Sequence, residues 1–559
     1  MEMTGAEIII KLLERQGITH IAGMPGGANL PMYDALYHSS IKHVLARHEQ
    51  GAGFMAQGMA RTTGQPAVCF ATSGPGATNL ITAIADAKLD SIPLIAITGQ
   101  VPLAMIGTDA FQEVDTYGLT VPITKHNFLV RSAAELLEVI PEAFRIAMSG
   151  RPGPVVVDVP KDVQLQKVMF DALPESVVAD EAEAIDETVI DAMVEMIEAA
   201  KRPLFFVGGG IVSSGASALV CQVAEKAHLP TVSTLMGLGV LPCDHPLFLG
   251  MLGMHGARYT NMALEVCDLI FAVGVRFDDR ATGKVAQFCP QAKIIHIDID
   301  ESELGKVKQP VLGLVADAKA ALQMLCNRLP NVARPDWIAK VHQLKRDYPL
   351  ATPGDEDVFQ PYGVISHVAQ GVNEHTIVTT DVGQHQMWVA QAFPFQRSGQ
   401  LLTSGGLGTM GFGVPAAIGA ALARPDCTVV CFSGDGSFLM NVQELATLAE
   451  ENLNVKIVVM NNGYLGMVRQ QQTLFYGGRE AGSLFGAQPN PAHIARAFGV
   501  PACDLGDVDD PVGMLHEMLH APGPCVINAP IGADEMVFPM VPPGAANKDM
   551  IAEVVHANA

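Results

Sequence analysis

The sequence predicts an α/β protein made of three doubly wound parallel-sheet domains, and three observations carry that prediction. Short, continuously apolar and β-branched runs recur along the chain, many ending in Gly or a small polar residue. Continuous apolarity, as opposed to alternation, marks strands covered on both faces. Helical patterns lie between those runs, which implies crossover connections and therefore parallel strands. Two polar stretches interrupt the pattern, and 559 residues are too many for one hydrophobic core.

The expected strands are 67–72, 94–98, 155–159, 204–207, 269–273, 294–297, 377–380, 428–432, 455–460 and 525–528. Residues 6–16 and 438–451 repeat apolar positions at helical spacing. The stretch 174–187 is acidic and broken in pattern, and 334–361 carries Pro335, Pro349, Pro353-Gly354 and three acids from Asp355 to Asp357. Read as linkers, they give domains of 1–175, 188–333 and 360–559, each of ordinary size.

Acidic residues outnumber basic ones by 58 to 35, a formal charge of -23. That field repels a phosphate backbone, so no nucleic-acid partner is expected, although local amides and a metal ion can still hold a small phosphorylated molecule. The ten cysteines form no CxxC pair, and several sit inside apolar runs. Buried free thiols in a reducing compartment explain them better than disulfides or zinc. The N-terminus is acidic early (Glu2, Glu7) and no apolar run reaches 18 residues, so a secretory signal and a spanning helix are not expected. The expected location is the cytoplasm.

The most informative segment is Gly434-Asp435-Gly436-Ser437, followed 24 residues later by Asn461-Asn462. A strand feeds each element, and the helix expected between them is long enough to return the chain beside its start. About 14 helical residues span ~21 Å and six strand residues ~20 Å. Both polar elements then emerge at the carboxyl edge of one sheet, where ligands of open α/β sheets bind. Asp435 and Asn462 present hard oxygen atoms suited to magnesium, and the glycines let main-chain amides approach a diphosphate. A Gly-Asp-Gly turn alone is a common surface feature; its spacing to the double Asn and the flanking strands make it specific.

This pattern resembles the binding motif of thiamine-diphosphate enzymes. The resemblance implies the pyruvate oxidase- and decarboxylase-like architecture, with magnesium held by Asp435, Asn462 and the main-chain carbonyl of Tyr464. Pro25-Gly26-Gly27, Arg47-His48-Glu49-Gln50 and the segment from Ser73 to Asn79 strengthen it. Thiamine chemistry needs a carboxyl group hydrogen-bonded to the cofactor's aminopyrimidine, and such a group works best in an apolar pocket. Glu49 follows an apolar run and precedes small, uncharged residues. By itself it reads as a solvated acid at a strand-to-helix junction; the resemblance makes it the activating acid, meeting the metal motif across a dimer interface.

In the middle of the chain, Gly208, Gly209 and Gly210 follow a strand and suit close approach of a nucleotide, though the spacing is not GxGxxG. The segment from Arg276 to Arg280, Arg-Phe-Asp-Asp-Arg, reads alone as surface ion pairing. It is similar to a signature of the flavin-dependent acetolactate synthases, and further matches run through nearly all of the chain. The resemblance implies that Gly383, Gln384, His385, Met410 and Met467 contact thiamine diphosphate, Met410 as an apolar wedge beneath it. It places Arg151, Gly208, Gly209, Gly210, Thr234, Met254, His255, Gly256, Arg276, Asp298 and Asp317 around FAD, a non-redox cofactor in that family. It places Phe111, Gln112, Lys161, Met254 and Arg276 beside two 2-ketoacids, with the Arg276 fork suited to a carboxylate.

The activity so implied is decarboxylation of pyruvate and condensation of its two-carbon unit with pyruvate or 2-ketobutyrate, the first common step of branched-chain amino acid biosynthesis. A homodimer or homotetramer and a small regulatory subunit are implied with it. Glu49 argues against glyoxylate carboligase, which lacks that carboxylate. One position departs from the family pattern: many members carry a Trp where this chain has Gln471. Replacing an indole with an amide removes a large apolar wall, so little preference for 2-ketobutyrate is expected.

Overall fold

The computed structural model describes residues 1–177, 184–487 and 489–552. All ten expected strand runs form strands, and they belong to three six-stranded sheets in which every pairing is parallel. Numbered within each sheet along the chain, the strand orders are 2-1-3-4-6-5, 3-2-1-4-5-6 and 2-1-3-4-6-5. The first and third sheets therefore share one topology. The middle order is that of doubly wound dinucleotide-binding sheets. The central strands, such as Ala67–Ala71, Leu269–Val273 and Val455–Asn461, are buried along nearly their whole length, as continuous apolarity requires.

Among the described residues, eight strands of these sheets lie outside the expected runs, and each has four residues or fewer. Thr231–Ser233, Leu401–Leu402 and Ala502–Asp504 have three residues or fewer, and the latter two lie at sheet edges. Such runs are too brief to carry a period.

Two expectations need correction. Residues 438–451 do not form one helix; the chain makes Asp435–Met440 and Glu444–Glu451 with a break between them. At the break Asn441 leaves the helical conformation, and its side-chain amide donates to Gly411 O at 2.7 Å and Gln50 Oε1 at 3.2 Å. A tertiary hydrogen bond thus overrides helical periodicity. The stretch 334–361 is not a bare linker either, because Pro335–Asp347 is a helix whose Trp337 is buried and donates to Pro203 O at 2.9 Å. Its proline sits in the first turn, where a missing N–H costs nothing. The acidic stretch 174–187 lies partly outside the described residues.

The outer two domains pack through helix Glu49–Thr63 against helix Gly413–Ala423. A Cβ on Gly58 would collide with the carbonyl oxygen of Ala416, and one on Gly419 with that of Met55. The helices therefore meet backbone to backbone, and only glycine fits at the crossing. Gly58→Ala or Gly419→Ala is expected to cost about 1–3 kcal/mol by overpacking, read as a lower midpoint of urea unfolding.

Candidate active site

Strands Ile377–Thr380, Val429–Gly434 and Val455–Asn461 lie side by side in the third sheet, and their carboxyl ends deliver one set of polar groups. Gly434 pairs with Met460, so Asp435 and Asn462 leave adjacent strands one and two residues past a common level. Asp435 Oδ1 accepts from Gly436 N at 2.8 Å and its Oδ2 from Gly463 N at 2.7 Å. Asn462 Oδ1 accepts from Tyr464 N at 3.1 Å, while its amide donates to Gln384 Oε1 at 3.3 Å. These bonds fix the two oxygen donors and the Tyr464 turn as one unit.

A cavity opens on this unit, lined among others by Gly383, Gln384, His385, Met410, Gly434, Gly436, Ser437 and Met467. Helix Gln384–Ala392 begins there. A Cβ on Gly434 would stand 2.9 Å from His385 Nδ1, and one on Gly436 2.8 Å from Leu465 Cδ2, so the glycines keep the floor passable. Burial pushes the His385 imidazole down to about 3, so the ring is neutral, and its Nε2 is buried without a hydrogen-bond partner. A diphosphate fits this site: hard oxygen donors for a cation, a helix start and an uncommitted ring nitrogen on one cavity.

The residues expected to act with it in the first domain gather elsewhere. Glu49 is the first residue of its helix and half-buried, and Asn79 Nδ2 donates to Glu49 Oε2 at 2.9 Å. A Cβ on Gly76 would lie 3.3 Å from Glu49 Oε1, and one on Gly74 (φ +57°) 2.7 Å from Gln112 O. One glycine turn thus serves as the floor for both Glu49 and Gln112. Phe111 is 87% exposed beside Gln112, on a loop tied by Glu113, whose carboxylate accepts from Thr108 N and Ala110 N. Lys161 follows strand Val155–Pro160, half-buried, with no ion pair among the described residues. None of these lines the cavity at Asp435.

The middle-domain residues collect at the carboxyl edge of the second sheet. Gly208, Gly209 and Gly210 follow Pro203–Val207, Thr234 follows Thr231–Ser233, Asp298 ends Lys293–Asp298, and Asp317 stands just past Leu312–Val315. Cβ atoms on Gly208 or Gly210 would each lie 2.6 Å from the Gly274 backbone, and Gly210 N donates to Gly274 O at 3.0 Å. Thr234 Oγ1 is buried and unpaired, which suits a polar ligand at this edge. Burial pushes the Asp298 carboxyl up to about 6. Arg151 is already paired with Asp300 and Glu303 at 3.2 and 2.8 Å, joining the first and middle domains.

Three of these residues have structural duties as well. Asp317 caps helix Ala318–Arg328 through Ala320 N at 2.9 Å. The buried His255 ring bonds Pro539 O through Nδ1 at 3.2 Å, and a Cβ on Gly256 would meet Met251 O at 2.5 Å. Within the Arg276–Arg280 segment, Asp278 caps a helical turn and exposed Asp279 and Arg280 pair at 3.7 Å. Arg276 alone is a half-buried cation without a partner among the described residues. Met254 N and O bond Arg280 O and Val541 N, which seats it between the middle and third domains.

Sequence reasoning missed Gln470. It is buried, its Oε1 accepts from Gln384 Nε2 at 2.9 Å and Val537 N at 2.8 Å, and its amide donates to Val537 O. Gln471 beside it is exposed. The run of three glutamines is the signal that something in this helix faces polar partners. Asp381, fully buried and bonded to Gly411 N at 2.7 Å, was also missed.

Three family models match the chain in order: the thiamine pyrophosphate enzyme N-terminal TPP binding domain over residues 3–119, the central domain over 190–325 and the C-terminal TPP binding domain over 381–529. The class that the sheets and the cavity define is accordingly that of thiamine pyrophosphate-dependent enzymes. Over 551 residues the chain is 57% identical to the acetolactate synthase isozyme 1 large subunit of Escherichia coli (strain K12), covering 98% of each. It is 45% identical to the isozyme 2 large subunit of the same organism, over 99% of this chain and all of that protein. To acetolactate synthase 2, chloroplastic, of Nicotiana tabacum it is 47% identical, over 98% of this chain and 85% of that one. The chain belongs to the family of acetolactate synthase large subunits.

Proposed function

We propose that this chain decarboxylates pyruvate and condenses the two-carbon unit with a second 2-ketoacid, as an acetolactate synthase of branched-chain amino acid biosynthesis. The observation that carries the reading is the pairing of Asp435 and Asn462 at adjoining strand ends on one cavity, in a chain 57% identical to a protein of that name. Thiamine diphosphate supplies an acidic thiazolium carbon and an electron sink for the departing carbon dioxide. Gly383, Gln384, His385, Gly434, Gly436, Ser437 and Met467 would hold it, with Met410 beneath. Asp435, Asn462 and the Tyr464 carbonyl would hold magnesium. The Glu49 carboxyl would hydrogen-bond the aminopyrimidine of the bound cofactor and serve as its proton-exchanging acid. Arg276 takes the carboxylate of the acceptor, while Phe111, Gln112, Lys161 and Met254 border it.

Glu49 and Gln112 do not line the Asp435 cavity, which supports a homodimer or homotetramer whose active sites each draw on two chains. Exposed apolar side chains on both parts, Phe111 on one and Tyr476 and Leu484 on the other, fit such an interface. FAD suits the carboxyl edge of the middle sheet, as a non-redox cofactor beside Arg151, Gly208, Gly209, Gly210, Thr234, Met254, His255, Gly256, Arg276, Asp298 and Asp317. The words "large subunit" in the names of two relatives support a small regulatory partner. Ten free cysteines and the absence, among the described residues, of a helix able to cross a membrane accord with a cytoplasmic enzyme.

Purified protein given pyruvate is expected to make acetolactate and carbon dioxide, and to lose both products when magnesium, thiamine diphosphate or FAD is omitted. Oxygen-dependent turnover with flavin reduction would instead indicate a pyruvate oxidase. A pocket walled by an indole gains about 1–3 kcal/mol from the extra methylene of 2-ketobutyrate, and Gln471 in that place forgoes most of it. Equimolar competition is therefore expected to yield mixed products with less than about tenfold enrichment of acetohydroxybutyrate.

A further inference from the structure

The loop that ends at Met410 is held by two buried acids of the first domain. Asp86 and Asp90, on helix Ile81–Asp90, have fully buried side chains and face one guanidinium, Arg61, at 3.3 and 2.8 Å. Two carboxylates against one cation leave an excess negative charge away from water, which must be met by hydrogen-bond donors. The third domain supplies them. Gly405 N and Gly406 N donate to Asp90 at 3.0 and 2.7 Å, and Thr409 Oγ1 donates to Asp86 Oδ1 at 3.1 Å. Ser404 Oγ donates to the same Asp86 oxygen and accepts from Thr409 N at 2.8 Å. A Cβ on Gly406 would stand 2.9 Å from Leu89 Cβ, so the loop lies flat on the acids.

Met410 follows directly, and its other flank is also pinned. Gly411 N donates to Asp381 Oδ1 and Gly411 O accepts from Asn441, each at 2.7 Å. Arg61 sits over the ring of Phe412 at 5.0 Å, closing the network on the far side.

We propose that Asp86 and Asp90 are positioning residues for the cofactor cavity: they clamp residues 404–409 and so set where Met410 stands. The clamp joins the first and third domains of one chain, and neither acid touches the cavity. This rests on the reading that Met410 and the Asp435 cavity hold thiamine diphosphate.

The test is calorimetric titration of magnesium-loaded protein with thiamine diphosphate. Thr409→Val with Ser404→Ala removes both hydroxyl donors to Asp86 and leaves the Arg61 pairs and the Asp90 bonds in place. This double variant is expected to bind about tenfold more weakly, the scale of losing hydrogen bonds to a charged group. Thr409→Ser keeps its hydroxyl and is expected to bind within about twofold of the wild type. Asp86→Asn is expected to weaken binding like the double variant while retaining the far-ultraviolet circular dichroism of the parent. Lower melting temperatures with unchanged affinity in both would mean a purely structural ion pair and overturn the proposal. A wild type that gives no binding heat would overturn the reading of the cavity itself, and the clamp with it.

Discussion

Glu49→Gln is expected to lower turnover about a thousandfold while leaving the fold and the cofactor affinity close to those of the parent. The substitution keeps the size and hydrogen-bonding reach of the side chain. Its amide oxygen can still accept from Asn79, which now bonds Glu49 Oε2 at 2.9 Å. Helix Glu49–Thr63 should persist, since its start is capped independently by His48 and its core packing lies farther along. What the amide cannot do is exchange a proton with an aminopyrimidine, and a positioned acid–base group contributes about 10²- to 10⁴-fold. The loss should appear in carbon dioxide release, before any step that involves the second ketoacid. Calorimetric affinity for thiamine diphosphate should change by less than about fivefold. Turnover within tenfold of the wild type would remove Glu49 from the mechanism.

How much of this was legible in the sequence depends on the length of the signal. Central strands such as Leu269–Val273 are covered on both faces, so their apolarity is continuous and they stand out. Asp435 and Asn462 were legible as a pair because two strands and a fixed spacing bring them to one edge, and the structure joins them through Gly463 N. The break at Asn441 was not legible. Its cause is a pair of partners, Gly411 and Gln50, that are distant in sequence. For the same reason Asp86 and Asp90 read as ordinary helix acids until Arg61 and the 404–409 loop are seen around them. Arg276 is the reverse case: its neighbours Asp279 and Arg280 do form the surface pair that the bland reading expects, and that pairing leaves Arg276 uncommitted.

Asp435→Asn should abolish activity by a different route. A neutral amide removes the only carboxylate among the proposed magnesium donors, and magnesium selects hard anionic oxygen. The Oδ2 acceptor that now holds Gly463 N at 2.7 Å is lost in one amide orientation and the Oδ1 bond to Gly436 N in the other. Thiamine diphosphate affinity is expected to fall at least about 100-fold, and raising magnesium should recover part of it. Mixing this variant with Glu49→Gln then separates two arrangements of the active site. If each site takes Glu49 from one chain and Asp435 from its partner, unfolding and reassembling an equal mixture gives half heterodimers. Each heterodimer has one site with both defects and one with none, so about a quarter of wild-type activity should return. If Glu49 and Asp435 of the same chain work together, every site carries one defect and the mixture stays as inactive as its parents.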